Sequence, residues 1–230
     1  MIYKEIDNIR KFREDRISKI SVNETPVPLL EGAKVVLHLI PIDSINSSQI
    51  FDISELEDLS HKKSPMNCPG GKQRFNFDGF LTYCTDREGR FHSYVQFFRN
   101  GVVEAVDGLM LRQHGEEQVI PGEALEGELI KALRDYLSVL NALNVKPPIF
   151  VFVSLLGVSG YYMAHDKPLF LPEYESYVDR DTLLVPEVVV ESYDIEPEKV
   201  LRPCFDSIWN ACGYAKSLNY DENGEWTGKY

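Results

Sequence analysis

FHSYVQFFRNGVVEAVD, residues Phe91–Asp107, contains two alternating runs joined at Asn100-Gly101. Asn-Gly between such runs is the strongest short-range hairpin signal, because a type I′ turn needs positive φ at both central residues. The turn fixes the register, and the register fixes which side chains share a face. With Asn100 and Gly101 as the two loop residues, Arg99 faces Val102. Phe97 then opposes Glu104, Val95 opposes Val106, and Tyr94 opposes Asp107. One face carries Phe91, Val95, Phe97, Val102 and Val106 and reads as core, with Arg99 and Glu104 paired at its rim. The other carries His92, Tyr94, Gln96, Phe98, Val103, Ala105 and Asp107. His92, Tyr94, Gln96 and Asp107 are the candidate ligand-binding residues, for a small polar ligand or for an acid–base group in which Asp107 orients His92. The competing reading is a sheet face whose aromatics pack under a loop or helix.

Outward from the hairpin, the chain alternates strands with a few helices. Residues 1–21 read as a helix, with Ile2, Ile6, Ile9, Ile17 and Ile20 near a 3.6 period. A break carrying Pro26 and Pro28 separates it from a strand at Ala33–Ile40, which puts Val35, Leu37 and Leu39 on one face and His38 on the other. A short helix is predicted at Ser54–Leu59, with Ser54 as its cap and Glu57 completing a capping box. Lys62–Gln73 is a loop with two prolines and Gly70-Gly71. Arg74–Thr85 is a strand region turning at Asp78-Gly79. Gly122–Leu143 is the clearest helix, with Leu125, Leu129, Leu133, Tyr136, Leu140 and Leu143 on one stripe.

Pro147-Pro148 ends that segment. Ile149–Leu156 is a fully buried strand by its continuous apolar run, followed by a short strand at Tyr161–Ala164. His165–Asp181 is an aromatic-rich loop, Leu183–Glu191 a strand, and Pro197–Cys212 the last helix, with Pro197 in its first turn and Gly213 at its C-terminus. The polar tail Tyr214–Tyr230 either packs through Trp226 or frays. This order predicts an α+β fold with a mainly antiparallel sheet built from hairpins, helices packed on one face, and an N-terminal connector helix. Residues 1–22 form the connector and 23–230 a single α+β domain.

Composition bounds the function. A net charge of −12 repels phosphate backbones and disfavours nucleic-acid binding by this chain alone. The basic stretch Arg10, Lys11, Arg13, Arg16 and Lys19 is interrupted by acids and reads as a solvated helix face. The longest apolar run is too short for a membrane helix. None of the four cysteines forms a C-x-x-C pair. Cys84 reads as a small hydrophobe, while Cys204 and Cys212 are eight apart in a helix, too far for a disulfide. Reduced thiols in a cytoplasmic protein are the simplest reading.

Catalytic signatures find little support. The five histidines show no H-x-x-x-H or H-E-x-x-H spacing, so no metal or cofactor is expected. Leu156-Gly157-Val158-Ser159-Gly160 lacks the G-x-S-x-G pattern of a nucleophile elbow and reads as a turn. Gly70-Gly71-Lys72 is not a P-loop, since no G-x-x-x-x-G-K-[ST] occurs. Asp179 and Asp181 point alternately in an extended backbone and make no natural dyad. Tyr161, Tyr162, Tyr174, Tyr177, Trp209 and Tyr214 could supply an interface, although Trp209 in the last helix reads as core.

Several segments together carry a resemblance: FREDRISKI at 12–20, ETPVPLLEGAKVVLHLIP at 24–41, FDGFLTY at 77–83, HSYVQFFRNGVVEAVD at 92–107, SLLGVSGY at 154–161, LLVPEVVVE at 183–191 and RPCFDSIWNACG at 202–213. From about Ile9 to Trp226 the chain resembles the C-terminal region of bacterial proteins that carry an N-terminal Schlafen-type, AlbA-like DNA-binding domain. That domain has no counterpart in this sequence, so the resemblance transfers no nucleic-acid-contacting residue to any position here. It implies that the first helix is the connector following the absent domain, and that nucleic acid is reached only through that domain. The resulting expectation is a regulatory or assembly module that senses a ligand, forms a homo-oligomer or docks a protein partner, without a membrane and without catalysis. The alternative is a small-molecule enzyme or sensor using the His92/Tyr94/Asp107 face or the Lys62–Gln73 loop.

Overall fold

The computed structural model describes residues 2–45, 50–57, 62–111, 113–114, 117–165 and 176–228. Its helices are α1 (Ile2–Ser21), α2 (Gly122–Ala142) and α3 (Pro197–Ala211). The strands are β1 (Lys34–Pro41), β2 (Lys72–Phe75), β3 (Gly79–Thr85), β4 (Phe91–Phe98), β5 (Val103–Asp107), β6 (Gln113–His114), β7 (Glu117–Pro121), β8 (Ile149–Leu156), β9 (Tyr162–Ala164), β10 (Thr182–Leu184) and β11 (Val188–Val190). Eight strands form one sheet in the order β10-β8-β1-β5-β4-β3-β2, with β11 also paired to β8. Every pairing in that sheet is antiparallel. The fold is therefore α+β with a mainly antiparallel sheet, and β7 adds a parallel pairing with β9 outside it.

Strands β1 and β8 are buried at every position. A strand buried on both faces needs apolar residues in both phases, which is why KVVLHLIP and IFVFVSLL read as nearly continuous apolar runs. Leu37, Leu39, Val151 and Val153 join the core formed with α2 and α3. Val36, Ile40, Phe150 and Phe152 face the other way, toward α1. The helices α2 and α3 cover one face, as expected, and α1, expected as a connector, covers the opposite face. The physical reason is the isoleucine stripe. Ile9 and Ile20 are fully buried and Ile17 nearly so, and each such side chain contributes about 2 kcal/mol on burial.

The 91–107 hairpin exists, with a register one residue away from the expected one. Ser93 pairs with Asp107, Tyr94 with Val106, Val95 with Ala105, Gln96 with Glu104 and Phe97 with Val103. The loop has three residues, Arg99-Asn100-Gly101. It is closed by the Phe98 N–H donating to the Val102 carbonyl at 2.8 Å and the Gly101 N–H donating to the Phe98 carbonyl at 3.0 Å. Gly101 has φ 86°, while Asn100 is not among the positive-φ residues. A type I′ turn needs both, so the chain uses the three-residue loop with a glycine bulge. A one-residue slip exchanges the faces of β5 relative to β4. Val95, Phe97, Val103 and Ala105 therefore form the core face, and Glu104 turns inward beside Tyr94 and Gln96.

Smaller corrections follow local chemistry. At Ile53–Glu57 the chain forms a 3-10 turn, and the Asp52 carboxylate, not Ser54, is the acceptor: it takes the Ser54 N–H at 3.0 Å and the Ser54 hydroxyl at 2.6 Å. The remainder of the predicted Ser54–Leu59 helix lies outside the described residues. The single strand expected at 183–191 is two, β10 and β11, split around Pro186, which has no N–H for a ladder. Cys68 and Cys84 are joined as a disulfide with Cα atoms 6.2 Å apart, so the expectation of four reduced thiols does not hold. Cys204 and Cys212 are buried free thiols, as expected.

Candidate functional site under the N-terminal helix

Two arginines sit on the buried stripe of α1. Arg13 is four residues from Ile9 and from Ile17, and Arg16 is four from Ile20, so helical periodicity turns both toward the sheet. Arg13 is 6% exposed. Its guanidinium donates to the Ser154 hydroxyl at 2.9 Å, to the Val153 carbonyl at 3.0 Å and to the Val185 carbonyl at 3.2 Å, and lies over the Phe152 ring. Arg16 forms a two-pronged pair with Glu104: Nε to Oε2 at 2.7 Å and Nη2 to Oε1 at 2.8 Å. The sequence reading of these residues as part of a solvated face is corrected for Arg13 and Arg16, whose charged ends are used inside the fold.

Glu104 is the centre of this layer and has no solvent exposure. Besides Arg16, it accepts from the Tyr94 hydroxyl at Oε1 (2.8 Å) and meets His38 Nε2 at Oε2 (3.0 Å). A carboxylate only accepts, so Nε2 is the protonated nitrogen of that contact. Burial pushes the Glu104 carboxyl up, and the hydrogen bonds from Arg16 and His38 outweigh it, holding the group down at about 2. Burial beside this carboxylate drives the Tyr94 phenol well above its ordinary value. The neighbouring Gln96 donates to the Phe80 and Phe97 carbonyls and accepts from the Asn76 amide at 2.6 Å. The cluster is a closed clamp that holds α1 on the sheet through charge-assisted hydrogen bonds.

The four sequence-derived candidates do not share one open face. Tyr94 and Gln96 are fully buried in the clamp layer, next to Glu104. Asp107 pairs with Ser93 and follows Ala105 on the α2 side of the sheet. His92 is buried beside the irregularity where β3 and β4 lose register, and its carbonyl accepts from the Gly108 N–H at 2.8 Å. Asp107 Oδ1 accepts from the N–H groups of Leu109 and Met110 at 2.9 and 2.7 Å, shaping the turn after β5. Burial raises the Asp107 carboxyl to about 6 against those hydrogen bonds, with Glu128 adding repulsion.

Sequence reasoning missed Glu104, His38, Arg13 and Arg16 as a set. The signals were present: an acid inside the apolar run VVEAV, a histidine inside VVLHLI, and two arginines at isoleucine spacing. It also missed Glu126. This buried residue of α2 accepts from Trp209 Nε1 at 2.7 Å, from the Ser217 hydroxyl at 2.6 Å and from Trp226 Nε1 at 2.8 Å. It joins α2, α3 and the C-terminal tail, which packs through Trp226 as one of the two sequence readings had it. Among the described residues no group of three or more His, Cys, Asp or Glu side chains could hold a metal ion, and no helix is long and apolar enough to cross a membrane. No family model, curated protein or solved structure matches the chain.

Proposed function

We propose that this chain is a non-catalytic regulatory and assembly module of a DNA-associated bacterial protein, with α1 as its connector. The observation that carries the assembly reading is the outer edge of β2. All four residues of β2 are exposed, and among the described residues the strand pairs with β3 alone. Beside this edge Phe75 is 44% exposed and Phe77, in the turn to β3, is 95% exposed. An unpaired edge with exposed aromatics is a template for strand addition. A second copy of the chain satisfies it in antiparallel fashion, with Lys72 opposite Phe75 of the other copy, so no two basic side chains face each other directly. The clamp supports the connector reading, because a helix fixed on the sheet transmits the position of whatever it joins.

Sedimentation velocity tests the assembly. The expected species has twice the 26.3 kDa of one chain, and Phe77→Asp shifts it to the monomer with folding unchanged. A monomer at every concentration, or a dimer indifferent to Phe77→Asp, contradicts the proposed edge. Nucleic acid enters this reading only through a separate N-terminal domain.

A further inference from the structure

A pocket of about 670 Å³ lies where the loop before β2 meets β3. Thr82 lines it. This residue is 3% exposed, and its hydroxyl makes no hydrogen bond among the described residues. Buried hydroxyls are nearly always satisfied, so such a group in a pocket wall points to an occupant that supplies the partner. Thr82 pairs across the ladder with Gln73, another lining residue.

The remaining chemistry of the pocket specifies the occupant. Lys63 brings an ammonium that is largely withdrawn from solvent. It donates to the Leu56 carbonyl and to the Glu57 carbonyl at 2.9 Å, and lies over the Phe80 ring. Lys72 adds a second, exposed ammonium, and Glu57 is the one carboxylate among the described residues of the lining. Gly70 and Gly71 bring bare main chain against β3. A Cβ on Gly71 would stand 2.8 Å from Thr82 Cγ2 and 3.1 Å from the Tyr83 carbonyl, so only glycine allows this approach. The Cys68–Cys84 disulfide ties the same turn to β3, with the Gly70 carbonyl against both sulfurs.

From these features we propose that this pocket binds a small oxyanion, a phosphate or carboxylate group. The Thr82 hydroxyl donates to an anionic oxygen, and the ammonium groups of Lys63 and Lys72 balance the charge. The disulfide positions the Gly70-Gly71 wall. The site is not a P-loop, since it uses strand residues and a disulfide-tied turn in place of a helix N-terminus. Lys72 and Gln73 belong to the β2 edge of the proposed dimer, whereas Thr82 lies on β3, so Thr82→Val tests the pocket without altering that edge.

Isothermal titration of the disulfide-intact full chain with inorganic phosphate, and separately with succinate, tests it. Saturable binding of either one supports the site and identifies the anion source. Thr82→Val keeps the shape and removes the hydroxyl, and is expected to weaken that binding about tenfold, the value of one hydrogen bond to a charged group. Lys72→Gln, on the exposed strand, is expected to weaken it as well, and Cys84→Ser to weaken it by freeing the Gly70-Gly71 wall. The proposal is overturned if neither anion binds saturably to the wild-type chain, or if Thr82→Val and Lys72→Gln bind as tightly as wild type.

Discussion

Replacing Glu104 by alanine is expected to cost about 3–5 kcal/mol, the usual penalty for removing one partner of a buried ion pair. The loss exceeds that of the pair alone, because the Tyr94 hydroxyl and His38 Nε2 lose the same acceptor. Urea unfolding followed by circular dichroism measures it, as a lower midpoint with an unchanged slope. The pH dependence has a definite sign. The folded-state carboxyl of Glu104 titrates at about 2 against an ordinary 4.5, so its stabilisation is fully present above about 4.5. It is lost as pH falls toward 2 and amounts to roughly 3 kcal/mol. Asp107 runs oppositely. Its folded value of about 6 lies above the ordinary 3.8, so its contribution is present below about 3.8 and lost as pH rises through 6. Wild-type stability is expected to fall below pH 4.5, and Glu104→Ala is expected to show a shallower acid-side slope, the remainder coming from other carboxylates held below their ordinary value, such as Glu187. A wild-type slope retained by the variant would remove Glu104 from the clamp.

The second large effect is expected at Glu126. Glu126→Ala strands the indole N–H groups of Trp209 and Trp226 and the Ser217 hydroxyl. Buried donors left without acceptors cost about 1–3 kcal/mol each. Part of the cost is relieved when the half-buried Trp226 moves into water, so a loss of about 2–4 kcal/mol is expected. The chain holds two tryptophans, and their emission reports the event. Trp226 is expected to shift to the red while Trp209, 1% exposed in the core, stays blue. Trp209→Phe in the same background assigns the shifted component. Unchanged emission and stability would mean that the tail is held by something other than Glu126.

Much of this architecture is legible in the sequence where one local signal decides the structure. The leucine stripe of α2, the apolar run of β8 and the alternation of β4 each specify an element and its buried side. The hairpin shows where that ends. Asn100-Gly101 locates the turn, but loop length is decided by contacts that no local pattern carries. The Asn100 amide donates to the Ser44 carbonyl at 3.1 Å, and a Cβ on Gly101 would stand 3.0 Å from the Phe51 ring. A single residue of loop length then moved Glu104 from the rim to the centre of the clamp. β6 and β7 are short and carried no periodic signal, and β7 pairs with β9 far along the chain. Cys68 and Cys84 lacked motif spacing and meet only because the loop before β2 folds back onto β3.

The candidate site was half legible for the same reason. Tyr94 and Gln96 were singled out, and they do flank the polar layer. Asp107 joins them only in the two-residue-loop register, and His92, an alternation partner on β4, sits at the irregularity between β3 and β4, while Arg13 and Arg16 escape notice because charge on a helix usually means solvent. Their helical positions contradicted that rule, since both fall on the stripe that Ile9, Ile17 and Ile20 define.

Hydrogen–deuterium exchange of α1 tests the clamp most directly. With Arg13 and Arg16 held by the sheet, amides in the middle of residues 2–21 are expected to exchange as slowly as those of β1 in the wild-type chain. In Glu104→Gln, which keeps the volume and removes the charge, the same amides are expected to exchange faster while β1 and β8 stay protected. If α1 already exchanges rapidly in the wild-type chain, or if Glu104→Gln leaves its protection unchanged, Glu104 is not what fixes the helix to the sheet.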